Sequence, residues 1–422
     1  MEIDSEIRIQ DEKDPLKSFR NAFLIPKDEK GNDVVYLTGN SLGLQPKEAK
    51  TYLLEELEDW AKYGVEGHVH ARRPWVEYHS FFSESLARIM GAKQEEVVAM
   101  NGLTTNLHLL MVSFFRPKGK RTKLLCEGKA FPSDLYALRS QLRFHGLDDS
   151  NLVLLHPREG EHSLRTEDIL AKIHELGDTL ALSMLGAVNF YTGQFFEIQK
   201  ITQAIKAVGA FAGWDLAHAA GNLPLQLHNW DVDCAAWCSY KYLNSGPGSV
   251  SGIFIHEKHH GLKDIPRFEG WWGHDSESRF KMPDHFQPMP TAEAWQLSNA
   301  PVLSMAAHRA SLDLFDKTSM QELRSKSLKL TAYLEEILNE IGKKYQTDWT
   351  ILTPSEPEQR GCQLSLLLPK KGRALFDYLQ SNGVTADWRE PDVIRMAPVP
   401  MYNSLGDLNR LKKIIIEFYE TH

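Results

Sequence analysis

The sequence predicts an α/β protein, with a mostly parallel seven-stranded sheet covered by helices on both faces and a smaller α+β domain after it. Three observations predict this. Between about residues 95 and 255, short and nearly all-apolar runs alternate with helical patterns. Strands apolar almost throughout are buried on both faces, as in parallel sheets flanked by helices. Beyond Pro301 the pattern changes to long amphipathic stretches with only two strand candidates. With 422 residues, 42% hydrophobic and 25% charged, the chain is long enough for one large body and an appendage.

In chain order, residues 47–63 place Leu53, Leu57, Trp60 and Ala61 on one helical face, stopped at Gly64. The strand candidates are EVVAM (96–100), KLLCE (123–127), NLVLLH (151–156), TLALSML (179–185), GAFAGWD (209–215), VDCAAWC (232–238) and SVSGIFI (249–255). Helical patterns at 104–115 and 196–209 fall between them. Amphipathic helices follow at 302–317 and 320–342, then CQLSLLL (362–368), a short helix (371–382), VIRMAPV (393–399) and a last helix (404–420). The expected division is an N-terminal segment (1–65) joining the small domain, a large domain (66–304) and a small C-terminal domain (305–422). No internal repeat or low-complexity tract interrupts it.

The net charge of -8 and the lack of a Lys/Arg run argue against a nucleic-acid binder. The N-terminus is charged throughout, without the apolar core of a secretory signal. No apolar run approaches the ~18 residues of a membrane span. Cys126, Cys234, Cys238 and Cys362 are too scattered for a disulfide framework or a CxxC zinc site. They read as buried thiols in a reducing compartment, the cytoplasm.

Several stretches carry candidate chemistry. HEKHH (256–260) satisfies H-E-x-x-H, but a zinc hydrolase needs that motif mid-helix, and here it follows a strand and stops at Gly261. A polar turn accounts for it better, and no metal is expected. GNSLG (39–43) lacks the glycine spacing of a dinucleotide loop. GLTTNLHLL (102–110) puts a glycine and two threonines at a helix start directly after a strand, either a phosphate site or simple capping by Thr104 or Thr105. In GWDLAHAAGN (213–222), Asp215 ends a buried strand, where open α/β sheets bind ligands, and His218 follows; a cap and a satisfied histidine are the plainer readings.

The lysine at the centre of CSYKYLNSGPG (238–248), Lys241, stands in an apolar setting. There an amine loses its proton readily and can form a Schiff base with an aldehyde. Pyridoxal 5'-phosphate supplies that aldehyde and also needs an acid at its ring nitrogen and a cup for its phosphate. Lys241, Asp215 and the Gly/Thr helix start, in this order on an α/β core, suit that cofactor. The alternatives are a structural Asp–Lys ion pair in a non-enzymatic binding module, and a zinc hydrolase built on HEKHH.

These segments together resemble the kynureninase family. The matching stretches include YLTGNSLGLQP (36–46), GHVHARRPW (67–75), GLTTNLHLL, KAFPSD (129–134), FYTGQ (190–194), DLAHAAGN (215–222) and CSYKYLNSGPG. GWWGH (270–274), RFKM (279–282), QLSNAP (296–301) and IRMAPVPMYNS (394–404) continue the match. The resemblance implies a fold-type-I pyridoxal-phosphate enzyme, class-V aminotransferase-like, and a homodimer with active sites at the subunit interface. It implies hydrolysis of L-kynurenine to anthranilate and L-alanine, and of 3-hydroxy-L-kynurenine to 3-hydroxyanthranilate, in tryptophan breakdown or NAD biosynthesis. The alternative is another lyase or aminotransferase of the same fold, such as a cysteine desulfurase.

Position by position, the resemblance implies that Lys241 holds the cofactor covalently and moves the Cα proton. Asp215 pairs with the ring nitrogen, with His218 beside it. Leu103 and Thr104 cradle the phosphate together with Tyr240, which also relays protons. Phe131 stacks on the ring, Asp134 sits at its hydroxyl side, and Pro132 and Ser133 belong to the same stretch. Trp271 and Asn299 match cofactor-site positions that a partner subunit can supply. Arg395 matches a clamp for the substrate carboxylate, and Ser41, His68 and Asn299 match positions around the substrate's aromatic end. One departure is Gly186, where some relatives carry a serine; a hydroxyl contact to the cofactor would be missing there, or replaced by backbone or water.

Overall fold

A computed structural model describes residues 5–262 and 265–422. Each of the seven expected apolar runs forms a strand: β1 (Val97–Ala99), β2 (Lys123–Glu127), β3 (Leu152–Leu155), β4 (Leu180–Gly186), β5 (Phe211–Asp215), β6 (Cys234–Trp237) and β7 (Gly252–Ile255). They make one sheet in the order β1-β7-β6-β5-β4-β2-β3. The pairs from β6 through β3 are parallel, whereas β7 runs antiparallel to both its neighbours.

Side chains alternate across a strand, and both faces here are covered. Ala212, Trp214, Ala235, Trp237 and Phe254 enter one buried cluster, while Leu182, Met184, Cys234, Ala236 and Ile253 enter the other. This is why the strands read as unbroken apolar runs.

A second sheet, β8 (Thr350–Ile351), β9 (Leu364–Leu367), β10 (Asp387–Arg389) and β11 (Val393–Met396), is antiparallel in the order β8-β9-β11-β10. Its core takes Leu330, Leu334, Ile337 and Leu338 from the helix Met320–Tyr345, and Leu411, Ile415 and Phe418 from Leu405–Thr421. The N-terminal segment joins it, since Val35–Tyr36 pairs in parallel with Val384–Thr385 and Val35 and Leu37 enter the same core. The helix Val302–Phe315 instead buries Met305, Leu312 and Phe315 in the large-sheet core. We propose the two-domain division on these separate cores, with this helix as the shared piece at the boundary.

The helix Ala49–Tyr63 differs from its sequence pattern. Leu57 is 43% and Trp60 60% exposed, so its apolar stripe faces away from this chain. The inward face carries Glu56 and Asp59, both buried. Glu56 accepts hydrogen bonds from Arg73 Nε at 2.9 Å, Trp75 Nε1 at 3.0 Å and Tyr78 Oη at 2.9 Å. A carboxylate with three donors is satisfied without water, so a polar inner face is tolerated. Glu56→Ala leaves the Arg73 charge without this partner, and denaturant unfolding is expected to show a loss of roughly 3 kcal/mol.

Candidate active site

The parallel strands end along one edge of the sheet, where open α/β sheets bind ligands. Glu127, Gly186 and Asp215 are the last residues of β2, β4 and β5. Tyr240 and Lys241 stand on the loop after β6. Together with Leu103, Thr104, Phe131, Ser133, Asp134 and His218 they line one cavity of about 270 Å³, near the lower end of small-ligand clefts.

Lys241 is half-buried, and its Nζ lies 3.1 Å from Nε2 of His218. Among the described residues no ion pair joins it to a carboxylate. The imidazole is neutral: burial lowers its pKa well below the usual histidine value, and the charges of Lys241, Arg395 and Arg389 add to this. Its other nitrogen, Nδ1, is buried without a partner. Nζ also sits 5.9 Å from the Phe131 ring centre and 5.8 Å from that of Tyr240. The lysine loop is braced by the GNSLG stretch, where the Gly43 N–H donates to the Tyr240 carbonyl at 2.8 Å. A Cβ on Gly43 would clash with the Lys241 carbonyl oxygen, so a side chain there would push on the loop.

Asp215 is 8% exposed, and its Oδ1 accepts the Ala217 N–H at 2.8 Å. Asp134 opens the cavity side of the helix Pro132–Phe144. Burial holds its carboxyl well above the usual aspartate range, and the neighbouring Asp215 charge and hydrogen bond push the same way. Pro132 is the first residue of that helix and does not line the cavity. Burial likewise keeps the Tyr240 phenol protonated, raising its pKa.

The helix Leu103–Phe114 begins at Gly102 with no side-chain cap. Neither threonine takes the capping role, and both line the cavity. The first-turn N–H groups are therefore free to hold an anion.

Arg395 is 1% exposed and stands behind Phe190, itself a wall of the cavity. Its guanidinium donates to the Phe190 carbonyl at 2.7 Å, to Asp387 Oδ2 at 2.7 Å and to Ser41 Oγ at 3.3 Å. Ser41 also hydrogen-bonds Asp387, and Arg395 Nε is buried without a partner. By contrast, His68, Trp271 and Asn299 line a separate cavity of about 900 Å³ with Val65, Val69 and Phe280. One chain alone does not bring them to Lys241.

HEKHH forms a short 3-10 turn, Glu257–His259. His256 stacks on His228 with ring centres 4.8 Å apart, and His260 bonds the Ile255 carbonyl, so the two histidines of the motif do not converge. Glu96, to which His228 and His256 turn, already accepts the Lys93 and Glu257 N–H groups.

Sequence reasoning missed Glu127, Asp387 and Arg389. The rule about strand ends could have found Glu127, since KLLCE closes on it. Glu127 is 3% exposed, and its carboxyl accepts the Gly186 N–H at 3.3 and 3.1 Å and the Cys126 thiol at 3.5 Å.

An uncapped helix end, a buried aspartate and a lysine with no acid partner among the described residues meet on this edge, and the chain belongs to the class-V aminotransferase family. Residues 35–359 match the family Aminotransferase class-V. A cysteine desulfurase from Thermococcus onnurineus NA1 superposes with a TM-score of 0.75 at 17% identity, covering 100% of this chain and 99% of that one. The cysteine desulfurase CsdA from Escherichia coli gives 0.77 at 16%, covering 96% and 98%. Both likenesses concern the fold.

Residues 323–415 match the family Kynureninase C-terminal domain. The kynureninase of Christiangramia forsetii is 54% identical over 96% of this chain and 95% of its own length. That of Myxococcus xanthus is 53% identical over 98% and 96%. The chain belongs to the kynureninase family, which is pyridoxal-phosphate-dependent.

Burial pushes the Glu127 carboxyl up to about 7. Between the ordinary glutamate range and that value the folded protein keeps a proton that the unfolded chain has released. Stability is therefore lost as pH rises through this window. Glu127→Gln is expected to remove a slope on the order of 3 kcal/mol, read from denaturant unfolding of the cofactor-free protein at several pH values.

Proposed function

We propose that this chain hydrolyses L-kynurenine to anthranilate and L-alanine with pyridoxal 5'-phosphate carried covalently on Lys241. The single observation that carries the assignment of Lys241 is its Nζ, held by a neutral imidazole and facing the cavity shared with Asp215 and the open helix end. The four cysteines are all buried, and burial raises the thiol of Cys362 to about 12. A desulfurase needs an accessible sulfur acceptor, which these do not offer.

When bound, the cofactor supplies an electron sink that acidifies the substrate Cα and lets negative charge gather at Cβ. Each other task falls to this chain. The first-turn amides at Leu103 and Thr104, with the Tyr240 phenol, hold the phosphate. Phe131 would cover the ring, Asp134 would lie on its hydroxyl side, and Asp215 would keep a proton on its nitrogen, with His218 alongside. Lys241 would take the Cα proton and return it before alanine leaves; His218, being neutral, accepts a hydrogen bond from it without trapping it as an ion pair. Arg395 binds the substrate α-carboxylate, for which Asp387 holds the guanidinium ready.

Water adds to the γ-carbonyl carbon, and the Cβ–Cγ bond breaks. The hydroxyl stays with the anthranilate carboxylate. A proton reaches the alanine β-carbon through Tyr240, a phenol that stays protonated and can donate and recover it. Ser41, His68 and Asn299 line the aromatic end, where 3-hydroxy-L-kynurenine is accepted too.

We place the active sites at the interface of a homodimer. The outward stripe of Leu57 and Trp60, continued by Val65, Val69, Trp271, Phe280 and Met282, is an exposed apolar patch that a second copy can cover. Trp271, His68 and Asn299 would then complete the partner's site. The cytoplasm suits four unpaired, buried thiols; among the described residues no helix is long and apolar enough to cross a membrane.

Lys241→Ala is expected to lose the visible absorbance of the bound cofactor and at least about a thousandfold in turnover together. Arg395→Ala is expected to raise KM for kynurenine roughly tenfold or more while cofactor affinity changes little, measured by steady-state kinetics and cofactor titration. Mixing inactive Lys241→Ala and Asn299→Ala proteins is expected to restore roughly a quarter of wild-type activity, because half the dimers are mixed and each holds one intact site.

A further inference from the structure

Glu127 has no task in the mechanism above, yet it ends β2 inside the cavity wall, buried beside the groups that hold the ring. Its seat is made by a missing side chain. Gly186 lies in register with Asp215 on the adjacent strand, and a Cβ on Gly186 would fall 2.7 Å from Glu127 Oε1. Carboxyl and side chain cannot share that space. The carboxyl instead leans on the Gly186 N–H with both oxygens, which anchors it next to Asp215.

We infer that Glu127 is a positioning residue of this site: its carboxyl, seated against Gly186, sets the charge beside Asp215 and so how firmly Asp215 holds the protonated ring nitrogen. This rests on the cofactor reading given above.

The groups that face Glu127 let that charge change with pH. Cys126 adjoins it on its own strand, Asp215 faces it from β5 and Asp134 from the helix Pro132–Phe144. Lys241 supplies the positive charge opposing Asp134, while His218 is neutral. Among the described residues Glu127 is paired with no cation, and burial brings its titration to about 7. Below that value it is a neutral acid. Above it, a second negative charge appears near Asp215, and every proton held nearby is held more tightly. A cofactor whose ring nitrogen is more firmly protonated has a shifted absorbance titration and a tighter grip on Asp215.

The test compares wild type, Glu127→Gln and Gly186→Ala, each reconstituted with pyridoxal 5'-phosphate. The glutamine keeps an acceptor for the Gly186 N–H but never ionises, and the alanine Cβ forces the carboxyl out of its seat. Cofactor absorbance and dissociation constant are followed from about pH 6 to about pH 8, spanning the ordinary range in which such a group switches. Wild type and Glu127→Gln are expected to agree at the acid end. At the alkaline end the Glu127→Gln titration should move down by about half a pH unit, with about threefold weaker cofactor binding, the equivalent fold-change. Gly186→Ala should shift the same way. Superimposable titrations and constants in all three proteins would overturn the inference. A wild-type protein that binds no cofactor at Lys241 would instead overturn the reading beneath it.

Discussion

A lysine amine resting on a neutral imidazole, instead of on a carboxylate, is the contact on which the rest of this structure depends. A buried or half-buried ammonium ordinarily recruits an acid, and breaking such a pair is costly. Here three carboxyl groups, Glu127, Asp134 and Asp215, stand around the same cavity, yet Nζ of Lys241 is closest to His218. The acids are spaced along strand ends and a helix start, and the lysine arrives on a separate loop after β6. That separation leaves the amine free for covalent chemistry.

The charge balance of the cavity follows from the same spacing. Desolvation raises the Glu127 and Asp134 carboxyls, so these acids share protons before they crowd the site with negative charge. The cationic ends of Arg395 and Arg389 lie farther back, committed to Asp387, and with burial and Lys241 they keep His218 neutral. In the proposed reading, phosphate, ring nitrogen and carboxylate would each meet a group of suited charge: the open helix end, Asp215 and Arg395. The fold supplies these from different elements that meet at one sheet edge.

Much of this was legible in the sequence. The seven strands announced themselves because both faces of the sheet are buried, which removes polar residues from the strands themselves. Asp215 and Lys241 could be singled out because one ends such a strand and the other interrupts an apolar run. The antiparallel course of β7 was not legible, since a short apolar strand reads the same in either direction. Nor was the turning outward of Leu57 and Trp60: periodicity names the apolar face but not what covers it, and here Glu56 with Arg73 takes the inner side. Glu127 looked like the polar end of a strand. Its meaning emerges only when Gly186, on the neighbouring strand, is seen to leave room for it. His68, Trp271 and Asn299 fell in one family pattern with Lys241, although the chain holds them at a different cavity.

The central claim is that the Lys241 nitrogen, and no other, joins the cofactor. Reduction of the reconstituted protein with borohydride, followed by peptide mapping, measures this directly. The account predicts one stable pyridoxyl modification, on the peptide carrying residue 241. Recovery of the label on a different lysine, or of unmodified residue 241 with all cofactor released, would contradict it.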